Sequence, residues 1–139
     1  MIHCVFIGPF KDRRLKEMSS EFHKRLGRLW PVVLIELPEK TKEILKWVEG
    51  RAGKGLLVSL DAHGESLDSK AFTHWVTSST RDLYFLGWGA DGPPSEMSRK
   101  NMKSLSLSPM TYSHELARVL LMEQLYRAGA ALRGHPYPR

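Results

Sequence analysis

Residues 83–92 read Leu-Tyr-Phe-Leu-Gly-Trp-Gly-Ala-Asp-Gly. Four consecutive apolar residues are typical of a strand that is buried on both faces, and the glycines that follow it predict a loop. Similar runs, bounded by glycine, proline or polar residues, predict four further strands at residues 2–7, 32–37, 56–60 and 105–108.

Segments with helical spacing separate these strands. Leu15, Met18, Phe22, Leu26 and Leu29 recur at steps of three or four residues, which predicts a helix with these side chains facing inward. Further helices are predicted at residues 41–49, 69–78, 95–103 and 114–132. Strands that alternate with helices predict an α/β domain, with a parallel sheet covered by helices on both faces.

Ligands of such sheets bind at the carboxyl ends of the strands. Three segments follow predicted strands and are candidates for a site: residues 61–64, which we expect to form a turn, and residues 87–92 and 108–114.

Length and composition limit the class of protein. The chain has 139 residues, which suits one domain over residues 1–139. Lys and Arg number 21 against 15 Asp and Glu, and the net charge of +6 favours an anionic partner such as nucleic acid. Cys4 is the single cysteine, and its apolar surroundings predict a buried, unreactive thiol. With no membrane-length apolar run and no signal peptide, we expect a cytoplasmic protein that binds no membrane.

No metal site is expected. The six histidines lack the spacing of metal ligands, and His114-Glu115-x-x-Arg118 differs from a zinc-protease helix because its last residue is arginine.

The loop Gly87-x-Gly89-x-x-Gly92 leaves two interpretations open. Its letters match a dinucleotide fingerprint, which would indicate a nucleotide-binding oxidoreductase. The same glycines also fit a place where a ligand or another backbone segment approaches closely.

The arginines of the last predicted helix cannot meet at one ligand within one chain. Arg118 and Arg127 are nine residues apart, which is a rotation of about 180° on a helix. They would converge only if a second subunit contributed one of them, which is a hint of a dimeric site.

The C-terminal third carries a family resemblance. Residues 114–128 read His-Glu-Leu-Ala-Arg-Val-Leu-Leu-Met-Glu-Gln-Leu-Tyr-Arg-Ala, and residues 135–137 read His-Pro-Tyr. This pattern resembles the signature of the large-subunit ribosomal RNA methyltransferase H family, in the SPOUT superfamily. The resemblance implies a parallel-sheet SPOUT domain with a C-terminal trefoil knot that acts as a homodimer. It also implies S-adenosyl-L-methionine as methyl donor and N3 of a pseudouridine in large-subunit rRNA of the ribosome as target.

The resemblance also assigns residues. It implies a cofactor pocket made by Leu60, Gly87, Gly89, Leu107, Ser108, Pro109, Met110, Thr111 and Tyr112. It implies catalytic roles for His114, Arg127 and Tyr137, and RNA contacts for Arg118, Arg127, Tyr137 and Arg139. Arg118 also fits a structural or dimer-related role. Because N3 of a uracil-type base attacks only after losing its proton, His114 or an arginine is expected to favour the anionic base.

Two positions depart from the family pattern. Trp88 replaces the first glycine of a Gly-Gly pair, and Pro138 replaces a final histidine. A tryptophan that filled the pocket would favour the alternative function, a non-catalytic protein of the same fold that binds RNA or the ribosome.

Overall fold

The computed structural model describes residues 1–137. The elements of this part, in chain order, are β1 (Ile2–Ile7), α1 (Arg13–Leu26), β2 (Val32–Leu37), α2 (Thr41–Glu49), β3 (Leu56–Ser66), α3 (Ser69–Ser78), β4 (Leu83–Gly87), β5 (Met102–Ser106) and α4 (His114–Leu132).

The five strands form one sheet in the order β2-β1-β4-β3-β5, and every pairing is parallel. Side chains of β1 alternate between two cores, as the pleat of a strand requires. Cys4 and Phe6 pack with residues of α1, α3 and α4, whereas Val5 and Ile7 pack with residues of α2. The predicted parallel sheet with helices on both faces is therefore confirmed, and so is the burial of Cys4.

Polar side chains fix the starts of three helices. Asp12, Asp68 and Ser113 each accept hydrogen bonds from backbone amides of the first turn that follows, which satisfies donors that a helix leaves free. The predicted bounds of α2, α3 and α4 agree with the structure.

The inward face of α1 differs from the prediction. Met18 is 49% exposed, while the neighbouring Ser19 is buried. A small residue at position 19 lets α1 pack against α4 along Leu15, Ser19, Phe22 and Leu26, and this contact turns Met18 towards solvent.

Two segments also differ from the prediction, the turn expected at residues 61–64 and the helix expected at residues 95–103. Residues 61–64 belong to β3, where they bulge between Leu60 and Glu65, both of which pair with Leu105 of β5. Residues 95–101 form turns and irregular structure instead of a helix. The Ser95 hydroxyl, which was expected to cap that helix, donates to the Glu96 carboxylate instead of accepting from the backbone. As a result β5 begins at Met102, earlier than predicted.

Within residues 1–137, no helix is both long and apolar enough to cross a membrane. The same residues contain no group of three or more His, Cys, Asp or Glu side chains placed to hold a metal ion.

Candidate functional site

A cavity of about 380 Å³ opens at the ends of β4 and β5, beside the bulge of β3. Residues from all three candidate segments meet in its wall, as expected for the carboxyl edge of a parallel sheet. The lining residues are Leu60, Asp61, Ala62, Gly87, Trp88, Ala90, Gly92, Pro93, Arg99, Leu105, Leu107, Ser108, Met110, Thr111, Tyr112, His114 and Ala117.

Seven of the nine residues assigned to the cofactor pocket line this cavity. They are Leu60, Gly87, Leu107, Ser108, Met110, Thr111 and Tyr112. The other two, Gly89 and Pro109, do not line it. The segment after β5 supplies five of these seven residues. Met110 at its centre is 72% exposed, so the cavity has an apolar, accessible rim.

Trp88 does not fill the cavity. Its side chain is 6% exposed and packs in the core between the sheet and α2. The indole Nε1 donates a hydrogen bond of 2.7 Å to Oγ of Ser59 on β3. A large residue at this position is therefore accommodated within the cavity wall, and space for a ligand remains.

Glu39, just after β2, packs against the glycine loop. A Cβ atom at Gly89 would collide with the carboxylate of Glu39, and the same carboxylate accepts a hydrogen bond of 3.2 Å from the amide of Asp91. The absence of a side chain at position 89 thus allows the Glu39 carboxylate to pack closely against the loop. Glu39 was not predicted from the sequence, where the one available signal was an acidic residue two positions after the end of β2, an edge strand of the sheet.

Arg99 and Asp61 carry opposite charges in the cavity wall. Arg99 Nη2 lies 3.1 Å from Oγ of Ser59 and 3.6 Å from Oδ2 of Asp61. Oδ1 of Asp61 accepts from the amide of His63, which holds the carboxylate in the bulge of β3. Arg99 was missed because its segment was predicted to be a helix with no role in the site.

His114 stands at the start of α4 and lines the cavity. Its Nε2 is 3.9 Å from Oε2 of Glu115. The buried Glu115 carboxylate also accepts hydrogen bonds from the amides of Lys11 and Asp12, at 2.8 and 3.0 Å. This part of α4 is therefore tied to the loop after β1.

The prediction that Arg118 contacts RNA is corrected by the structure. The side chain is 1% exposed, and its guanidinium donates to the carbonyl oxygens of Ile7 and Gly8. It also lies over the rings of Phe6 and Phe10, and burial lowers its pKa. A guanidinium enclosed in this way has a structural role, which was the other interpretation of Arg118.

Arg127 and Tyr137 form a separate cluster with Glu123. Arg127 Nε donates to the Glu123 carboxylate at 2.7 Å, and the Tyr137 hydroxyl donates to the same carboxylate at 2.5 Å. The interaction with Glu123 raises the pKa of Arg127, while burial and then the bond to Glu123 raise the pKa of Tyr137.

Within one chain, the cluster of Glu123, Arg127 and Tyr137 is distant from His114 and from the cavity. Neither Arg127 nor Tyr137 lines the cavity. Arg127 lies thirteen positions after His114 on α4, which is roughly 20 Å along the helix axis. The last residue assigned to RNA, Arg139, lies outside the described residues.

Comparison with known proteins places the chain in a family. A family model described as "Predicted SPOUT methyltransferase" matches residues 1–138. A ribosomal RNA large subunit methyltransferase H from Solibacter usitatus is 37% identical over 142 residues, which cover 99% of each chain.

Solved structures share the fold. A probable methylase family protein from Haemophilus influenzae superposes with a TM-score of 0.63 at 11% identity, covering 99% of this chain and 70% of that one. The SpoU methyltransferase AviRb from Streptomyces viridochromogenes, solved in complex with the cofactor AdoMet, gives a TM-score of 0.51 at 16% identity, covering 90% and 56%.

Together with the parallel sheet and the cavity at its carboxyl edge, these matches show that the chain belongs to the SPOUT methyltransferase family. Within this family it is a member of the ribosomal RNA large subunit methyltransferase H group. The trefoil knot implied by the resemblance stays a prediction.

The dinucleotide interpretation of the glycine loop is wrong. That fingerprint needs a helix whose first turn follows the glycines and faces the pyrophosphate. Within the described residues, the segment between β4 and β5 contains turns and irregular structure but no helix.

Proposed function

We propose that this chain, acting as a single domain over residues 1–139, methylates large-subunit ribosomal RNA with S-adenosyl-L-methionine as donor. The family resemblance gives N3 of a pseudouridine as the target atom. The observation that carries the proposal is the cavity at the carboxyl edge of the sheet, because seven of nine residues assigned to the cofactor line it.

The cavity fits the proposed cofactor in size and chemistry. A volume of about 380 Å³ lies within the range of small-molecule sites, roughly 300–1,000 Å³. Leu60, Leu107 and Met110 line the cavity and offer apolar surface to an adenine ring. Backbone groups within residues 107–112 are proposed to bind the edge of that ring. When bound, S-adenosylmethionine supplies an electrophilic methyl group on a sulfonium.

His114 is placed to act on the target base. Its imidazole lines the same cavity, and N3 of a uracil-type base must lose a proton before it attacks a methyl group. His114 accepts that proton or stabilises the anionic base. The remaining task of the chain is to hold the two reactants in line, which alone can lower a barrier by up to about 7–11 kcal/mol in ideal cases.

Arg127 and Tyr137 are proposed to hold RNA, together with Arg139. A guanidinium fork suits a phosphate group, and an aromatic ring suits a base. Because Arg127 is roughly 20 Å along α4 from His114, we propose that the active form is a homodimer in which one chain binds RNA for the cavity of the other. Its proposed place of action is the cytoplasm, on the ribosome.

The proposal is tested on rRNA from cells with and without this gene. Mass spectrometry of the large-subunit rRNA should find one methyl group on one pseudouridine only when the gene is present. Purified protein should restore it to unmodified ribosomes, and His114→Ala should slow that step without abolishing cofactor binding. Ribosome binding with no methyl transfer would favour the non-catalytic alternative.

A further inference from the structure

The cavity has one charged region in an otherwise apolar or neutral wall. Among the residues that line it within the described chain, Asp61 and Arg99 are the only aspartate, glutamate, lysine or arginine. Their nearest charged atoms are 3.6 Å apart, so the wall presents an anion and a cation side by side.

Arg99 is anchored but keeps free hydrogen-bonding capacity. A guanidinium has five N–H donors, and the bond from Nη2 to Ser59 uses one of them. The contact with Asp61 is longer than an ordinary hydrogen bond. The side chain is 46% exposed, so donors remain for a ligand.

The position of Arg99 is fixed by the core. Ser59 is fully buried, and its hydroxyl also accepts the indole N–H of Trp88. One buried hydroxyl therefore connects Arg99 to β3 and to Trp88, the residue that follows β4. This places a charge at the cavity from a segment without helix or strand.

Adjacent opposite charges suit a zwitterion better than a phosphate. A phosphate placed on Arg99 would be repelled by Asp61 a few ångströms away. An α-amino acid carries its carboxylate and ammonium on one carbon, so each can face the opposite charge of this pair. S-adenosylmethionine ends in such a group, whereas its nucleoside part needs mainly apolar contacts.

We propose that Arg99, positioned by Ser59 and flanked by Asp61, binds the carboxylate of the amino-acid end of the cofactor, with Asp61 facing the ammonium group. The inference rests on the proposed function, since it takes S-adenosylmethionine as the cofactor. It makes Arg99 a determinant of cofactor specificity outside the residues assigned by the family resemblance.

Calorimetry with two compounds tests this assignment. S-adenosylhomocysteine contains the amino-acid end, and 5′-methylthioadenosine lacks it. Arg99→Met should weaken S-adenosylhomocysteine about 10- to 100-fold, the range for hydrogen bonds to charged groups, and change 5′-methylthioadenosine less than about twofold. Asp61→Asn keeps an acceptor for His63 and should weaken only the first compound. Lys100→Met, an exposed neighbour, is the matched control and should alter neither.

Each outcome is decisive. Equal weakening of both compounds by Arg99→Met would mean that Arg99 only supports the cavity, and no weakening of either would remove it from the site. Both results would overturn the inference and leave the proposed function standing. Wild-type protein that binds neither compound would overturn the proposed function itself.

Discussion

Arg118 of α4 donates a hydrogen bond of 3.0 Å to the carbonyl oxygen of Gly8, where β1 has just ended. Gly8 has a φ of 83°, a left-handed conformation that glycine adopts without steric cost. The chain turns sharply at this residue, and the carbonyls at the turn need a donor because they are buried. A guanidinium brought by the last helix supplies it.

Arg118→Met should therefore destabilise the fold. The methionine roughly fills the space but leaves the carbonyls of Ile7 and Gly8 without their donor, at a cost of about 1–3 kcal/mol for each buried group. Urea unfolding measures the loss. Arg13→Met, at a side chain 90% exposed, is the control and should change stability by less than about 0.5 kcal/mol. Equal effects of the two substitutions would contradict the role of Arg118.

Gly64 should tolerate no side chain. A Cβ atom there would lie 2.6 Å from the carbonyl carbon of Ser104, on the neighbouring strand. Because backbone cannot move aside cheaply, Gly64→Ala should cost about 1–3 kcal/mol. Gly27→Ala is the comparison, since Gly27 has helical backbone angles and its Cβ would make only ordinary contacts. In thermal unfolding, Gly64→Ala should lower the midpoint temperature, whereas Gly27→Ala should not. An unchanged midpoint would show that the β3 bulge is adaptable.

The hydrogen bond between Trp88 and Ser59 should have a measurable coupling energy. Trp88→Phe and Ser59→Ala each remove one partner of a buried bond. A double-mutant cycle of unfolding free energies is expected to give about 1 kcal/mol of coupling. Additive effects would mean that Trp88 is held by packing alone.

Tyr137 makes the C-terminal tail sensitive to alkaline pH. Burial and the bond to Glu123 raise its pKa, so the folded state disfavours the phenolate. The stabilisation is complete below the unfolded-state pKa of about 10 and is lost as pH rises through the higher folded-state value. The wild-type protein should therefore lose more unfolding free energy between neutral and alkaline pH than Tyr137→Phe does.

Tyr112→Phe provides the control for this pH effect, because Tyr112 is 37% exposed and makes no bond to Glu123. It should lose as much stability in alkali as the wild type. If Tyr137→Phe loses as much stability in alkali as the wild type, ionisation of the Tyr137 phenol does not cause the pH dependence of stability.

Local signals explain which elements could be predicted. The bounds of α2 and α3 follow from apolar spacing and from neighbouring breakers, all within a few residues. The helix expected at residues 95–103 failed for a local reason as well, since the Ser95 hydroxyl bonds to the adjacent Glu96 carboxylate and does not cap the backbone. The extension of β3 to Ser66 depends on pairing with β5, which no local pattern reveals.

The residues of the site also fall into those that local sequence signals predict and those that depend on distant contacts. The cavity's apolar wall was predicted because it follows strand ends and matches a family motif. Glu39 and Arg99 were missed because their roles come from contacts with Asp91 and Ser59, 52 and 40 positions away in the chain. The sequence around Arg118 fits either contact with RNA or a structural role. Only the position of β1 shows that the guanidinium binds two backbone carbonyls.

The bond between Arg118 and Gly8 joins groups 110 positions apart. During synthesis β1 is made first, but the Gly8 carbonyl at its end has no Arg118 donor until α4 has been made. The turn after β1 therefore cannot form its native hydrogen bonds until Arg118 has been synthesised. Native contacts between residues so far apart in sequence slow folding. A chain released from the ribosome before Arg118 would lack the donor for the carbonyl oxygens of Ile7 and Gly8.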